Sequence, residues 1–366
     1  MELYFSIAFF ILFALSLELL TKRKYAYNNL ENSILPREYK HTRPQIAFFL
    51  VVMFVLWFLT AFRSSEIGND TKNYIGYFNF FGTYGINSDS IIEIGYQIFN
   101  ILVSKISSNP QAILIATATV CYIGLGIYVY KYSDNLVFST VLLFPIVFST
   151  FTNILRQSIA MVIILYAYQA LKKNRIILSL VLIILASTFH TSTLIVILLL
   201  LYKIIPKKPI IILPLAVIFI LLSITGFMDD VFSSILPFYA GYYENEGLTD
   251  GWIGMTYYCL RNLVFYLLVY FSYRSNTKNN SLVLSNFVLL LLATCFGFSL
   301  NIFNRASEYF LLISIVELPN AINRGRLPYK KMFIFLIGFI MVLYFIVTLI
   351  IRPDWNTLCP YKFFWN

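Results

Sequence analysis

Arg156 is the residue whose type and surroundings point most clearly to chemistry. It lies in Asn153-Ile-Leu-Arg156-Gln157-Ser-Ile-Ala160, where positions 153, 156, 157 and 160 share one helical face. An arginine at the end of an apolar helix either snorkels to the interface or faces a cavity. Interfacial anchors usually have a Trp or Tyr beside them, and this segment has none. Because guanidinium binds phosphate through a planar fork, we predict that Arg156, with Asn153 and Gln157, binds a phosphate group.

A second arginine cluster, Asn304-Arg305-Ala-Ser-Glu308-Tyr309, opens another apolar stretch. Its polar positions again share one face of a helix, so Arg305 is a second phosphate-binding candidate, with Asn304 and Tyr309 close to it. Pairing of Arg305 with Glu308, three residues later, is the structural alternative.

A third cluster follows the second apolar stretch and runs from Arg63 to Tyr74. Within it, Gly68-Asn-Asp70 is typical of a turn. Such a turn would hold a carboxylate beside an arginine at the membrane surface, which makes it a candidate site. The alternative is that the segment is an ordinary solvated loop. Arg63 is thus a third candidate for phosphate, and Tyr74 is a candidate substrate contact.

Three residues are candidates for the base that a transfer reaction requires. His190, in Phe189-His190-Thr-Ser192, comes first because imidazole exchanges protons near neutral pH. Asp70 and Glu93 follow it, and residue type alone does not decide among the three. A lone histidine is more often structural, but His190 lies between two short apolar segments, where burial in an apolar core is not expected.

Membrane helices must position these clusters. The chain of 366 residues is 59% hydrophobic and only 12% charged, whereas soluble domains carry about a quarter charged residues. We therefore predict an all-α, polytopic integral membrane protein that forms a single transmembrane domain over residues 1–366. The first apolar stretch is expected to be a transmembrane helix and not a cleaved signal, because basic residues follow it and none precedes it.

Twelve apolar segments have about the length that a bilayer requires, or eleven if 176–202 is one kinked helix. They are 3–21, 44–62, 111–130, 136–152, 155–171, 176–189, 191–202, 209–226, 256–273, 282–300, 306–322 and 332–351. With residues 22–43 in the cytoplasm, twelve segments leave 8 of the 27 basic residues outside and 19 inside. The positive-inside rule favours this distribution. Every candidate site residue then lies on the outer side.

Two outer loops are long, at 63–110 and 227–255. Within the first, residues 91–107 are amphipathic, and the polar residues, Glu93 included, share one helical face. This pattern predicts a helix that lies on the membrane or caps a cavity. The second loop is acidic and aromatic, which suits a mobile lid or a sugar-binding surface.

Metal, cofactor and nucleic-acid chemistry are disfavoured. The four cysteines lack metal-ligand spacing and the chain has two histidines, so we expect no metal and no cofactor. The net charge of +10 arises from short basic clusters between apolar segments and not from a basic face. Nucleic acid is therefore not an expected partner, whereas membrane lipid is.

Taken in order, these motifs resemble the EpsG-type family of Wzy-like polysaccharide polymerases. The likeness is carried by Arg63 through Tyr74, Glu93-Ile-Gly95-Tyr96, Asn153 through Ala160, Phe189 through Ser192, Asn304 through Tyr309 and Pro360-Tyr361. It extends from about residue 60 to 361, and the loop 227–255 matches no family pattern.

The resemblance implies a glycosyltransferase of the bacterial inner membrane with a broadly GT-C-like fold, about 11–12 transmembrane helices and an active site facing the periplasm. Such an enzyme joins undecaprenyl-diphosphate-linked oligosaccharide repeat units during O-antigen (lipopolysaccharide), capsule or exopolysaccharide assembly, and releases undecaprenyl diphosphate. A flippase and a chain-length regulator of the Wzz type are implied as partners. The arginines would then bind the diphosphate.

Three other roles remain open. A flippase or transporter of the same lipid-linked sugar would also place cations in a cavity, but internal repeats and polar residues deep in the bilayer are typical of it. An O-antigen ligase shares the architecture, and only the order of the motifs disfavours it. A non-catalytic assembly partner is disfavoured by three polar clusters on three helices.

Overall fold

The computed structural model describes residues 1–20, 41–225, 227, 251–298, 301–353 and 357–365. Within these ranges the chain is mostly helical, and the only β-type pairing is an isolated bridge between Arg63 and Phe363. The predicted all-α fold is thus confirmed. The loop predicted at 227–255 lies almost wholly outside the described residues.

The helices follow one another with short connections in most places. They are α1 (Glu2–Leu20), α2 (Arg43–Ala61), α3 (Thr71–Tyr84), α4 (Ile94–Ser104), α5 (Gln111–Tyr132), α6 (Leu136–Asn153), α7 (Leu155–Lys172), α8 (Ile176–Ser187), a 3₁₀ helix (Thr191–Leu201), α9 (Pro209–Ile224), α10 (Gly251–Ser272), a 3₁₀ turn (Arg274–Asn276), α11 (Ser281–Phe296), α12 (Asn301–Arg324) and α13 (Lys330–Ile351). Each of the twelve predicted apolar segments overlaps one of these helices.

Five of the described helices are long and apolar enough to cross a membrane, namely α1, α2, α5, α6 and α13, with 18 to 22 residues each. The 3₁₀ helix, α8, α9 and α11 are apolar but shorter. Because a bilayer core requires about 20 apolar residues for each crossing, the protein is a multi-pass membrane protein.

Residues 176–202 form two segments and not one kinked helix. The first, α8, ends at Ser187, and the 3₁₀ helix begins at Thr191. At the break the Thr188 hydroxyl donates a hydrogen bond to the carbonyl of Leu185 at 2.7 Å. Such local side-chain bonds compete with continuation of a helix.

A second break separates α6 from α7. Ile154 between them leaves the helical region, with φ −114° and ψ 69°. The Ser158 hydroxyl donates to the carbonyl of Ile154 at 2.9 Å. The break therefore places Arg156 in the first turn of a new helix.

The chain forms two compact units. The first comprises Met1–Leu165, Leu185–Thr191 and Pro328–Asn366, and the second comprises Tyr166–Ile184 and Ser192–Leu327. In the first unit α2 packs on α5 and α6, α1 packs on α13, and α3 packs on α4. In the second unit α11 packs on α9, α10 and α12.

Candidate active site

The carboxylate of Glu93 joins three distant parts of the first unit. Its Oε2 atom forms an ion pair with Nη1 of Arg156. Its Oε1 atom lies 3.1 Å from Nδ1 of His190 and also accepts a hydrogen bond of 3.1 Å from the backbone N–H of Thr191. Glu93 is the residue immediately before α4, Arg156 lies in the first turn of α7, and His190 lies just after α8. The structure therefore brings together three of the residues predicted from the sequence.

Gly95 allows the α4 end to approach His190 closely. Its N–H donates to the carbonyl of Thr188 at 2.7 Å. A Cβ atom on Gly95 would lie 2.4 Å from Oγ1 of Thr188 and 2.7 Å from its backbone oxygen. Since the backbone oxygen cannot rotate away, only glycine permits the contact that sets Glu93 beside His190.

Arg63 is fully buried, with 0% exposure, and holds the C-terminal ends of α2 and α6 together. Its Nη2 donates to the carbonyl of Thr152 at 2.9 Å, and its Nη1 donates to the carbonyl of Thr60. Its Nε lies 3.3 Å from the carbonyl of Ile67 and 3.4 Å from Oγ1 of Thr71. Burial lowers the pKa of Arg63 to about 10, so it remains charged at neutral pH. This geometry favours a structural role for Arg63 over the predicted phosphate contact.

The turn after Arg63 is docked on the end of α6. Gly68 has a φ of +86°, and a Cβ atom there would lie 2.8 Å from the carbonyl oxygen of Thr152. The N–H of Asn69 donates to Oδ1 of Asn153 at 2.8 Å, and Nδ2 of Asn153 donates to the carbonyl of Ser149 at 2.9 Å. Asn153 thus fixes the α6–α7 break that carries Arg156. Gln157 is also buried, with 2% exposure.

Residues of α3 complete the surroundings of Arg156. The phenol of Tyr74 forms a hydrogen bond with the Arg156 guanidinium, and Tyr74 is buried. Asp70 lies one helical turn earlier, at the position before α3, and is half-buried. The structure therefore brings Tyr74 to the site and leaves Asp70 one turn away from it.

The electrostatics separate the roles of Glu93 and His190. Burial alone would raise the pKa of the Glu93 carboxyl, but the hydrogen bond from His190 and the charge of Arg156 lower this pKa to about 2. Glu93 is therefore ionised at neutral pH and is too weak a base to take a proton there. An ionised carboxylate only accepts hydrogen bonds, so Nδ1 of His190 carries a proton and its neutral tautomer has the lone pair on Nε2.

Arg156 keeps donor capacity beyond its pair with Glu93. Its side chain is 21% exposed. Its Nε atom is buried and makes no hydrogen bond to any of the residues that the structure describes. A buried donor without a partner costs about 1–3 kcal/mol, so an anionic oxygen that reached it would be stabilising. This favours the predicted role of Arg156 in binding phosphate.

The second unit carries the remaining predicted residues. Arg305 is exposed at the fifth position of α12, and Asn304 beside it is half-buried. Tyr309 is fully buried, and its hydroxyl lies 2.9 Å from Oγ of Ser192. Arg261, which the sequence did not single out as a site residue, stacks over the ring of Tyr258 at 5.0 Å within α10.

Two contributors to the site were not predicted. Thr191 donates its N–H to Glu93, and Gly95 permits the close approach of α4. Both adjoin predicted residues, since Thr191 follows His190 and Gly95 lies two positions after Glu93. The glycine two positions after the candidate carboxylate was the one indication of this contact in the sequence, because such a glycine often marks a close approach of another backbone segment.

Comparison with known proteins identifies the family of this chain. No curated protein and no solved structure matches the chain significantly. The model of the EpsG family matches residues 46–363, a range that contains most of α2, all of α3 through α13 and every residue of the site. The chain therefore belongs to the EpsG family.

Proposed function

We propose that this protein is a polysaccharide polymerase that joins undecaprenyl-diphosphate-linked oligosaccharide repeat units at the periplasmic face of the bacterial inner membrane. Membership of the EpsG family supports a polysaccharide polymerase-type role in general. The multi-pass membrane fold suits a donor that is anchored in lipid. The observation that carries the proposal is the contact of one carboxylate, Glu93, with both Arg156 and His190.

His190 acts as the general base in this proposal. The acceptor hydroxyl transfers its proton to Nε2 of His190 while its oxygen bonds to the anomeric carbon of the donor sugar. Glu93 holds the imidazole through Nδ1 and stabilises the imidazolium that forms, as the carboxylate of a catalytic triad does. A positioned base of this kind contributes about 10²–10⁴-fold to a rate.

Arg156 stabilises the leaving group. As the bond between the anomeric carbon and the phosphate oxygen breaks, both electrons stay with the oxygen, and undecaprenyl diphosphate departs as an anion. A fixed guanidinium directed at that oxygen meets the charge as it develops. Glu93 and Tyr74 hold Arg156 in place, so little reorganisation is required during the reaction.

The other predicted residues are additional substrate contacts or an alternative base in this proposal. Arg305 remains a predicted diphosphate contact, and Asn304 and Tyr309 remain predicted substrate contacts. Asp70 is the reserve candidate for the base. A flippase that supplies the repeat units and a chain-length regulator are the expected partners, on the strength of the family resemblance.

Polymer length in a strain that lacks this protein tests the proposal. Wild type, Arg156→Lys and Arg175→Lys are expressed at matched levels in that strain, and surface polysaccharide is separated by size. Arg175 is exposed and distant in sequence from the site motifs, so it is the matched control. Lysine keeps the charge but not the fork, so we expect Arg156→Lys to lose long chains and Arg175→Lys to keep them.

Two results would contradict the proposal. One is a full-length ladder from Arg156→Lys. The other is a deletion strain with no surface sugar at all and with lipid-linked units trapped on the inner face, which is the behaviour expected for loss of a flippase.

A further inference from the structure

Five large aliphatic side chains on α4 and its flanks are exposed. Together they form the α4 stripe, which runs along one face of the helix and its flanks. Its members, with their exposed fractions, are Ile91 at 78%, Ile94 at 44%, Ile98 at 42%, Leu102 at 54% and Ile106 at 86%. Within α4, the spacing of four residues places Ile94, Ile98 and Leu102 on a single side, and Ile91 and Ile106 flank the helix.

The polar residues of α4 point the other way. Gln97 is 3% exposed, and its side chain bonds to the backbone N–H of Asn87 at 2.9 Å and to the carbonyl of Ile92 at 2.6 Å. Asn100 is fully buried and donates to the carbonyl of Tyr96 at 2.7 Å. A helix on a water-facing surface has the reverse arrangement, with apolar residues inside and amides outside. The medium that faces α4 is therefore apolar.

A membrane helix follows α4 in the chain and packs against it. Four residues separate Ile106 from the start of α5, on which α4 packs. α5 is long and apolar enough to cross a membrane, and its outward residues are also large and apolar, with Ile123 at 58% and Ile127 at 53% exposure. α4 itself has 11 residues and extends about 16 Å, which is too short to cross a bilayer of about 30 Å.

Charge at the end of α4 agrees with a lipid surface. Lys105 is exposed between the two most C-terminal members of the stripe. A lysine in this position can bury its alkyl chain along apolar surface and extend its ammonium group to a phosphate. An apolar face ending in a cation is the composition that suits the boundary between acyl chains and lipid headgroups.

We propose that the α4 stripe is embedded in the outer part of one lipid leaflet, with Lys105 at the level of the phosphates. This inference does not depend on the proposed reaction. It has a consequence that does rest on that reaction: Glu93 directly precedes α4, so its cluster with Arg156 and His190 lies near headgroup depth. The diphosphate of a lipid-linked substrate would meet the cluster there without leaving the bilayer.

Spin labels on purified protein in nanodiscs of phosphatidylethanolamine and phosphatidylglycerol test the contact. Single cysteines replace Ile98, Leu102 and Ile106 in a background without the four native cysteines, and each is labelled with a nitroxide. A label at Ile123 is the lipid-facing reference, and one at Asp89, which is exposed in the loop before α4, is the water-facing reference. Relaxation of the nitroxide spin by oxygen, which concentrates in lipid, is compared with its relaxation by a water-soluble nickel chelate.

We expect the three stripe labels to behave like the Ile123 label, with stronger relaxation by oxygen than by nickel. The Asp89 label should show stronger relaxation by nickel than by oxygen. Stronger relaxation by nickel along the stripe would overturn the proposal. So would exclusion of both reagents, because a second copy of the chain or another part of the protein would then cover the stripe. Elution of each labelled protein from a size-exclusion column at the wild-type volume shows that it is folded. A result at any one of the three positions is enough to decide whether the stripe contacts lipid.

Discussion

Oε1 of Glu93 lies 3.1 Å from Nδ1 of His190, although 97 positions separate the two residues in the chain. The same carboxylate holds Arg156 through its other oxygen. One anionic group thus orients the imidazole and the guanidinium together. The proposed site depends on this carboxylate more than on any single cation.

Glu93→Gln should lower polymerisation by about 10²–10⁴-fold, because the amide keeps the shape but loses the charge that fixes the His190 tautomer. The substitution leaves the backbone contacts of α4 in place, so the protein should still fold. Synthesis by purified protein in proteoliposomes measures the effect. Glu66→Gln is the control, since Glu66 is exposed and its carboxylate pairs with Lys362. Equal activity of the two variants would contradict the role of Glu93.

The pH dependence of protein stability should also show the ionisation of the Glu93 carboxyl group. Its pKa is lowered from 4.5 to about 2, so it stabilises the fold above pH 4.5, and this stabilisation is lost as the pH falls towards 2. The full effect is on the order of 3 kcal/mol. Melting temperatures in detergent should therefore differ between wild type and Glu93→Gln at pH 7 and converge at pH 2 to 3. A constant difference over this range would show that the carboxylate is not held as described.

Gly95→Ala should abolish activity and destabilise the first unit, because the new Cβ atom would overlap the backbone oxygen of Thr188. Gly76→Ala in α3 is the matched control, since a Cβ atom there meets nothing within 4 Å. Alanine favours a helix over glycine by about 1 kcal/mol, so the control should be neutral or slightly stabilising. Similar melting temperatures for the two variants would mean that α4 does not approach Thr188 this closely.

Arg63 and Arg156 should behave differently when each is replaced by lysine. Arg63→Lys removes buried hydrogen bonds that join α2, the following turn and α6, which should cost about 3 kcal/mol or more and lower the melting temperature. Arg156→Lys should leave the melting temperature close to wild type and lose activity. Loss of activity from Arg63→Lys without any change in melting temperature would restore Arg63 as a phosphate ligand.

The sequence predicts the helices well because apolar periodicity and length are local properties. Each of the twelve predicted segments overlaps a helix, and the break within 176–202 agrees with the arrangement that the basic residues favour. α10 and α12 each begin five residues before the predicted apolar segment. At the start of α12 the polar residues Asn304 and Arg305 lie in the helix ahead of the apolar stretch, so hydropathy alone does not show where α12 begins.

The site could be predicted only in part. Arg156, His190 and Glu93 were each identified by residue type and neighbours, but their contact depends on Gly95 and on the α6–α7 break. Arg63 shows the converse, since an arginine after a membrane helix has the same sequence pattern whether it binds phosphate or caps backbone carbonyls. Only tertiary structure distinguishes these cases.

A buried ion pair in the second unit should destabilise the fold when only one of its two partners is removed. Glu317 in α12 is 2% exposed and pairs with Lys172 at the end of α7. Lys172→Met would leave a buried carboxylate without its cation, which should cost about 3–5 kcal/mol. Lys172→Met combined with Glu317→Leu should recover most of that loss, and Lys173→Met, at an exposed position, should cost little. Melting temperatures that show no recovery in the double variant would contradict this account of the pair.

The central claim is that His190, oriented by Glu93, takes the proton of an acceptor hydroxyl while a lipid diphosphate leaves. Purified protein in proteoliposomes is given lipid-linked repeat units, and the glycosidic bonds formed and the undecaprenyl diphosphate released are counted together. For wild type and for His41→Gln, which replaces the only other histidine, we expect one undecaprenyl diphosphate released for each glycosidic bond formed. For His190→Gln we expect the rate of bond formation to fall by about 10²-fold or more. Full activity from His190→Gln, or movement of repeat units across the bilayer by the wild type with no diphosphate released, would contradict it.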